Sequence, residues 1–365
     1  KVAILGAWGL SLNKHFGRIA PAKTAKHVYV CIACRHVLQC SYSQLTKRKS
    51  DMEKDLFDSR TVIVNTSATN TKYQMSCDTA NGFMHCYHLF PGIDLAYSTF
   101  QASTCNMRSK AMPNILEIAY CRAGRFECEY KHGFITYLGE GDFAVSLLSP
   151  EREPPEFPIG YYDGVAFIID LDITGLIFEN IVEDVSINLK ELIDKFCVGH
   201  CCSVIKTPPN LRHVFQEICE VRDTVPMGYL RLKVLESLFL LSQMLPQENF
   251  ETAAYYSANQ IKKVKALKCE LANQLDSRET LKSMADRYGM SLTALKDCFK
   301  AVYGKPIHAF QREYKMQAAT KLLTTTKMSI AEIAGIVGYE NPNKFSTAFK
   351  EIIGQSPSAY RKSRN

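Results

Sequence analysis

Cysteine and histidine are the residue types in this chain that first suggest chemistry, because their side chains bind metals and undergo redox reactions. The 365 residues include 14 cysteines and 9 histidines. A C-x2-C spacing typical of zinc sites occurs once, with no second copy, in the cluster His27, Cys31, Cys34, His36 and Cys40. A second cluster contains adjacent cysteines, which chelate poorly: Cys197, His200, Cys201 and Cys202. We therefore expect no metal site, no cofactor, and mostly buried free thiols.

Polar side chains recur at helical spacing in two groups near the C-terminus. The first group is Thr293, Lys296, Asp297 and Lys300, and the second is Asn343, Lys344, Thr347 and Lys350. Asparagine can pair with adenine through two hydrogen bonds, and lysine can donate to guanine. These groups are therefore candidates for reading base edges, with contact to the phosphate backbone as the alternative for each residue.

Two matched helix pairs would position these groups. Apolar residues at i, i+3, i+4 and i+7 occur twice, 49 residues apart: Leu281, Met284, Ala285 and Tyr288, then Ile330, Ile333, Ala334 and Val337. A second spacing repeats 50 residues apart: Leu295, Phe299 and Val302, then Phe345, Phe349 and Ile352. Each copy predicts an amphipathic helix, a glycine turn and a second helix, which is the pattern of a helix-turn-helix.

The residues between these helices favour the same interpretation. Gly289 and Gly338 stand where the first helix of each pair must end, and glycine tolerates the left-handed backbone of such a turn. Ser329 and Glu332 form a capping box that begins the second pair. Asn341 precedes a proline suited to a first helical turn, so it is expected to cap the second recognition helix.

Residues 329–361 resemble the second helix-turn-helix signature of the AraC/XylS family of transcription regulators. The matching positions are Ile330, Ile333, Ala334, Gly338, Tyr339, Phe345, Phe349, Lys350, Gly354, Ser356, Pro357, Tyr360 and Arg361. The first copy fits more loosely, and the resemblance covers residues 257–361. It implies an all-α domain with two helix-turn-helix motifs that contacts two successive major grooves of double-stranded DNA. Lys315 departs from the usual arginine, so a two-pronged hydrogen bond there is in doubt.

The segment between the two motifs, residues 307–323, contains neither glycine nor proline and predicts one helix. Seventeen residues span roughly 26 Å, which with the flanking helices can set the recognition helices about one DNA turn, ~34 Å, apart. Three further residues complete the expected DNA-contacting set: Lys305, Arg312 and Ser329.

The charge distribution agrees with a DNA-binding C-terminal part. Residues 260–365 hold 19 Lys/Arg against 9 Asp/Glu, whereas residues 52–259 hold 16 against 27. A basic region suits the phosphate backbone, which supplies most non-specific affinity for DNA. The acidic region does not, so we expect it to have another role.

Residues 52–185 are predicted to form a β-barrel or jelly roll, because short alternating strands are separated by turns such as Gly139-Glu140-Gly141-Asp142 and Arg122-Ala123-Gly124. The arrangement is similar to the cupin-like sensor domains of the same family, which implies a small-molecule effector in the barrel. Four polar residues are candidates for its lining: Glu117, Arg122, Glu127 and Tyr130. A metal-dependent cupin enzyme would need an H-x-H pair, which is missing. The alternative function is a cupin-type binding or catalytic protein that carries a DNA-binding module.

Residues 186–256 are predicted to be helical. One apolar stripe consists of Leu211, Val214, Phe215, Ile218 and Val221, and another of Leu232, Leu235, Leu238 and Phe239. In the AraC/XylS family this region often pairs subunits, so a homodimer is expected; packing against the protein's own barrel is the alternative. The DNA-binding domain is expected to occupy residues 257–365.

The predicted protein is thus a multidomain α+β chain, with a cupin-like sensor and a helical segment before an all-α double helix-turn-helix domain. We expect a cytoplasmic regulator without a membrane segment and without enzyme activity. An activator would also contact RNA polymerase.

Residues 1–51 are expected to be a basic tail or translated upstream sequence, since positions 1–50 contain nine Lys/Arg and no acidic residue. We predict that a chain starting at Met52 keeps its melting temperature, because a segment without core partners buries no apolar area. Differential scanning calorimetry of both chains checks this. A loss of several degrees would place the segment in a folded domain.

Overall fold

The computed structural model describes residues 61–105, 114–130, 134–148, 155–174, 187–197, 202–222, 226–244, 256–276 and 279–364. The predictions for residues 1–51, and with them the histidine–cysteine cluster at residues 27–40, lie outside this part of the chain. His200 and Cys201 of the second cluster lie outside it as well. In the described residues, no helix is long and apolar enough to cross a membrane.

The N-terminal part is an antiparallel sheet. Its strands are β1 Thr61–Thr66, β2 Asn70–Ser76, β3 Asn81–Phe90, β4 Ile93–Phe100, β5 Ile115–Tyr130, β6 Phe134–Gly139, β7 Asp142–Leu147, β8 Tyr162–Asp170, β9 Cys202–Lys206 and β10 Tyr256–Ser257. The hydrogen-bonded order is β1-β2-β3-β4-β8-β5-β6-β10, and β7 joins β5 to β9. The predicted fold class is confirmed. Within the described residues, however, the barrel is not closed, because no pairing joins β10 to β1.

Strand β5 also corrects a turn that the sequence predicted at residues 122–124. The strand runs through this point and changes partners there: its first half pairs with β7 and β8, and its second half with β6. The register shifts between Cys121 and Ala123, and Gly124 has a φ of 89°. A left-handed glycine beside a bulge bends a strand without ending it.

Three helices cover one face of the sheet: α1 Leu189–Phe196, α2 Pro209–Glu220 and α3 Met227–Gln243. Phe215 of α2 stacks on Tyr120 of β5 with 4.8 Å between ring centroids. In α3, however, the predicted stripe of Leu232, Leu235, Leu238 and Phe239 does not pack on the sheet as one face. Leu230, Val234 and Leu238 are buried, whereas 67% of Leu232 and 42% of Phe239 is exposed to solvent.

The C-terminal part is entirely helical in the described residues. Its helices are α4 Ala258–Asn273, α5 Leu281–Arg287, α6 Leu292–Tyr303, α7 Ile307–Thr325, α8 Ile330–Ile336, α9 Pro342–Ile353 and α10 Pro357–Arg364. Helices α5 and α6 form one helix-turn-helix pair, α8 and α9 form the other, and α7 joins them as the sequence predicted.

Both helix-turn-helix turns have the same hydrogen bonds. After α5, Met290 N donates to Ala285 O at 2.9 Å, and after α8, Tyr339 N donates to Ala334 O at 2.8 Å. Gly289 has a φ of 58° and Gly338 a φ of 76°. Glycine is favoured there because a left-handed residue lets the next amide satisfy a free helix carbonyl.

Each pair has a separate core. The second core is formed within the helices by Met316, Ala319, Leu323, Ile333, Ala334, Val337, Phe345, Ala348 and Phe349. The first core also takes Ile135 and Tyr137 from β6. In addition, β10 pairs with β6, which matches Tyr256 with Ile135. The first helix-turn-helix is therefore packed directly on the sheet.

We predict that Gly338→Ala destabilises the helical part by about 1–3 kcal/mol. A Cβ at Gly338 would lie 2.8 Å from Leu275 O, in a backbone conformation that alanine disfavours. Gly335→Ala is the control, because this helical glycine has open space around it, and alanine there should stabilise by about 0.5–1 kcal/mol. Denaturant unfolding monitored by circular dichroism measures both changes. Equal midpoints for the two variants would contradict the prediction.

Candidate nucleic-acid interface

The second helix of each pair begins with a side chain that caps its free amides. Ser291 Oγ accepts a hydrogen bond from Ala294 N at 3.1 Å at the start of α6. Asn341 Oδ1 accepts from Asn343 N at 2.8 Å and from Lys344 N at 3.3 Å at the start of α9. Such caps hold the first turn of a recognition helix in place, and that turn is the part that approaches base edges in helix-turn-helix complexes.

The predicted base-reading side chains are all exposed. They are Thr293, Lys296, Asp297 and Lys300 on α6, and Asn343, Lys344, Thr347 and Lys350 on α9. The opposite faces are buried, with Phe299 and Phe345 each 0% exposed. Each recognition helix is therefore anchored through aromatic rings and presents a polar face outward. The roles of the individual side chains stay predictions.

The outward face of α6 is not open along its whole length. Asp297 and Lys300 line a cleft of about 410 Å³ between α6 and the sheet. Lys206 and Asp142 form an ion pair on the sheet side of that cleft. Thr293 belongs to the opposite, N-terminal end of α6, away from these cleft residues. The sequence treated the four positions as equivalent because they share one helical face.

Two of the remaining candidate contacts are held by acidic side chains. Lys305 forms an ion pair with Glu313, and Arg312 forms one with Glu351. The hydrogen bond to Glu351 raises the pKa of Arg312, so its guanidinium stays charged. The third candidate, Ser329, caps α8: its Oγ accepts from Glu332 N at 3.2 Å, which confirms the capping box.

Arg361, the arginine of the C-terminal motif, holds α10 against α7 through hydrogen bonds. Arg361 donates Nε to Leu323 O at 3.2 Å and a terminal nitrogen to Met328 O at 2.7 Å. Tyr360 packs edge-on against Phe349. Lys315 lies with Nζ 5.9 Å from the ring centre of Tyr339, and desolvation lowers its pKa. These residues stabilise the second motif on the side away from the exposed face of α9.

Two basic side chains at the junction of sheet and helices escaped the sequence analysis. Arg125 of β5 donates Nε to Ala301 O in the last turn of α6. A cation is favourable there because the free carbonyls give a helix C-terminus a partial negative charge. Lys265 of α4 bonds to two acidic residues of the sheet, Glu127 at 2.7 Å and Glu156. Since their partners are more than 100 residues away in sequence, no spacing rule could identify them.

Glu127 is the centre of this junction. It is 3% exposed, and it accepts a hydrogen bond from Tyr137 Oη at 2.6 Å in addition to Lys265. Burial raises the pKa of Glu127 although both partners favour the carboxylate. The pKa of Lys265 is raised by its two carboxylates, against the effect of its own burial. A charged residue that the sequence assigned to effector binding thus joins the two parts of the chain.

The other effector candidates do not converge. Glu117 accepts a hydrogen bond from Ser146 Oγ at 3.3 Å, and Arg122 bonds to Asp163 through two nitrogens at 3.0 and 2.7 Å. The side chain of Tyr130 lies outside the described residues. A second cavity of about 260 Å³ lies on the sheet beside Tyr97 and Arg222, and it includes none of them. Their effector role stays a prediction.

The cysteines and histidines form no metal site within the described ranges, where no group of three His, Cys, Asp or Glu residues is suitably placed. The described cysteines are free thiols: Cys77, Cys86, Cys105, Cys121, Cys197, Cys202, Cys219, Cys269 and Cys298. Burial raises the pKa of the Cys298 thiol to about 12, which keeps it protonated in the first helical core.

Comparison with known proteins finds a family match near the C-terminal end. A family model described as a helix-turn-helix domain matches residues 284–363. The Msm operon regulatory protein of Streptococcus mutans is 33% identical over 147 residues, which are 40% of this chain and 50% of that protein. The virulence regulon transcriptional activator VirF of Yersinia enterocolitica is 28% identical over 43% of this chain and 58% of its own length. The chain thus spans about half the length of these curated relatives.

Solved structures give similar matches. The C-terminal domain of AraT, a response regulator from Geobacillus stearothermophilus, is 32% identical, with 28% of this chain and 85% of that chain covered and a TM-score of 0.27. ToxT from Vibrio cholerae is 12% identical, with 73% and 97% covered and a TM-score of 0.27. The family match, the relatives and the motif residues together confirm the resemblance seen in the sequence: residues 284–363 are a helix-turn-helix domain of the AraC/XylS type.

Proposed function

We propose that this protein is a sequence-specific, DNA-binding transcription regulator. The observation that carries the proposal is the pair of recognition helices with matching caps, matching glycine turns and exposed polar faces, joined by one continuous helix. A joining helix holds the two faces at a constant separation, which suits two successive major grooves on one side of a duplex. The names of the curated relatives, a regulatory protein and a transcriptional activator, support the same function.

Within this proposal the two helices contribute different contacts. Asn343 and Lys344 occupy the open first turn of α9 and are the favoured base readers. On α6 this role falls to Thr293 and Lys296, because Asp297 and Lys300 line the cleft against the sheet. Lys305 and Arg312 are assigned to phosphates, which would replace their present carboxylate partners.

We predict that Asn343→Ala relaxes base preference at one position of the binding site and lowers discrimination there by about 1–3 kcal/mol. Lys305→Ala should weaken binding to all sequences evenly and reduce its salt dependence. Selection of bound duplexes from a random library, followed by affinity measurements at several salt concentrations, tests both changes.

The control for this experiment is Asn210→Ala, an exposed asparagine of α2 outside the helix-turn-helix domain. It should leave base preference and affinity unchanged. Equal losses on selected and random DNA for Asn343→Ala would remove this residue from the base-reading set. Failure of the wild-type chain to enrich any sequence would contradict the proposed function itself.

We further propose that the sheet binds a small-molecule effector and that the 410 Å³ cleft receives it. A ligand there would touch Lys206 of the sheet and both Asp297 and Lys300 of the first recognition helix. It could therefore change the position of α6 through direct contacts, which an occupant of the 260 Å³ cavity on the sheet could not. The acidic sheet region, which does not suit DNA, then has a regulatory role.

The Lys265–Glu127 pair is the contact through which such a change would pass. We predict that Lys265→Met lowers the free energy of unfolding by about 1–3 kcal/mol, because Glu127 is left buried without its cation. Glu127→Gln in the same chain should restore part of this loss. The exposed Lys262→Met on the same helix is the control.

The loss in Lys265→Met should depend on pH. Burial raises the folded-state pKa of Glu127 above its ordinary value of 4.5. The pairing with Lys265 lowers this pKa, so the folded-state pKa of Glu127 is higher still in Lys265→Met. Stability from the raised pKa is fully present in both chains below pH 4.5, where Glu127 is protonated, and the variant loses more of it as the pH rises through the folded-state pKa. The difference from wild type should be largest at neutral pH and should shrink as the pH falls. Denaturant unfolding at several pH values measures this; a pH-independent difference would contradict it.

We also propose that α3 pairs two copies of the chain. Leu232 and Phe239 are seven residues apart on one face of this helix, and both are exposed. We predict that Leu232→Ser shifts the protein toward monomer in sedimentation velocity experiments, because each dimer would lose a buried leucine from both sides. Gln243→Ser, an exposed polar change on the same helix, is the control. A wild-type chain that is monomeric at micromolar concentration would contradict pairing.

The remaining assignments follow from this function. In a bacterium, the source of the relatives, a regulator of transcription acts on DNA in the cytoplasm, and an activating role would add RNA polymerase as a partner. The names of the relatives favour regulation over enzyme activity. The alternative of a catalytic cupin has no specific observation in its favour.

A further inference from the structure

Cys77 and Cys105 lie directly opposite each other beside the sheet. They form an isolated antiparallel bridge, and Asp78 N donates to Thr104 O at 3.3 Å next to it. This bond places the two cysteines in a non-hydrogen-bonded pair, in which Cα atoms are about 4.5 Å apart. A disulfide requires roughly 4.4–6.8 Å between Cα atoms, so the backbone already has the required spacing.

The two thiols differ in their access to solvent. Cys105 is 1% exposed, whereas Cys77 is only half-buried. The thiol of Cys105 also shares a hydrogen bond with Cys77; burial first, and this neighbour second, raise its pKa. A small oxidant in solution would therefore meet Cys77 first, while Cys105 stays protonated behind it.

We propose that Cys77 and Cys105 are a redox site, in which hydrogen peroxide closes a reversible disulfide. The Cys77 thiolate attacks one peroxide oxygen, the O–O bond breaks, and the departing hydroxide takes up a proton to give water. The resulting sulfenic acid is attacked by the sulfur of Cys105, whose proton combines with the departing hydroxide as a second water. Two thiols thus lose two electrons and peroxide gains them.

A Cys77–Cys105 disulfide would constrain a segment that contacts the helical part. Cys105 N donates to Pro155 O at 3.3 Å, and Phe157 N donates to Ser103 O at 2.7 Å. Between these bonds lies Glu156, which forms an ion pair with Lys265 of α4. A disulfide between Cys77 and Cys105 would therefore limit the motion of residues 103–105, to which the segment containing Glu156 is hydrogen-bonded.

The first experiment locates the bond. The full chain is treated with hydrogen peroxide, alkylated without reduction, digested, and analysed by mass spectrometry. We expect a peptide pair linked between Cys77 and Cys105 with the loss of two hydrogens, reversed by a thiol reductant. Cys77→Ser and Cys105→Ser should each abolish the linked pair. Cys269→Ser, which removes an exposed cysteine elsewhere, should leave it unchanged.

Two results would overturn the proposal. One is that Cys77 and Cys105 both remain alkylatable thiols at peroxide concentrations that oxidise Cys269. The other is that Cys77 stops at sulfenic acid, trapped by a dione probe, in the wild-type chain. If a serine variant fails to fold, Cys77→Ala and Cys105→Ala replace it, because alanine leaves no unpartnered hydroxyl.

The second experiment tests the mechanical consequence by amide hydrogen exchange. Oxidation of the wild-type chain should slow exchange of the amides of residues 103–105 and of Glu156 and Phe157, because the disulfide limits local opening. Cys77→Ser should show no such change under the same oxidation. A disulfide that forms without slowing the exchange of these amides would disprove the proposed constraint on the segment containing Glu156.

Discussion

The packing of strand β6 against the first helix-turn-helix is the interaction on which the arrangement of this protein depends. Ile135 and Tyr137 are each 2% exposed and belong to the same core as Phe299 and Val302 of α6. Burying them brings Glu127, on the neighbouring strand, out of water. An unpaired buried carboxylate would be costly, so the hydroxyl of Tyr137 and the ammonium of Lys265 compensate for its lost hydration.

This packing makes the two helix-turn-helix motifs unequal despite their repeated sequence. The first shares its core with the sheet, whereas the second closes its core around Phe345 and Phe349 without residues of the sheet. Helix α7 belongs to both cores, through Ile307 at its start and Leu323 near its end. A displacement of the sheet would therefore reach the first motif through direct side-chain contacts. It would reach the second motif through α7 and through Leu275, which follows α4 and packs against the second core.

Opposite charges from the two parts of the chain meet at the same junction. The acidic part supplies Glu127 and Glu156, and the basic part supplies Lys265. At Arg125 the arrangement is the opposite: the cation belongs to the sheet, and it bonds to the C-terminal carbonyl end of α6. A basic residue of the helical part can therefore bind the sheet through an ion pair instead of facing DNA. The net charge of a region does not distinguish these two roles.

The sequence by itself determined the features that depend on neighbouring residues. The capping box of Ser329 and Glu332, the cap at Asn341 and the left-handed turn at Gly338 all follow from contacts within about five residues, which spacing reports directly. The buried faces of the recognition helices follow as well, because helical periodicity is local. The alternation that buries Leu116, Ile118 and Tyr120 on one face of β5 is local in the same way.

Only the tertiary structure decided what distant residues do to each other. In the tertiary structure the sheet is open and Leu232 is exposed. Asp297 and Lys300 line a cleft, and Glu127 forms an ion pair with Lys265. Glu127 and Lys265 are 138 residues apart, and neither position is marked by periodicity or by a turn. The roles of such side chains depend on which surfaces become buried together, and that is settled by packing between elements rather than by the pattern within any one of them.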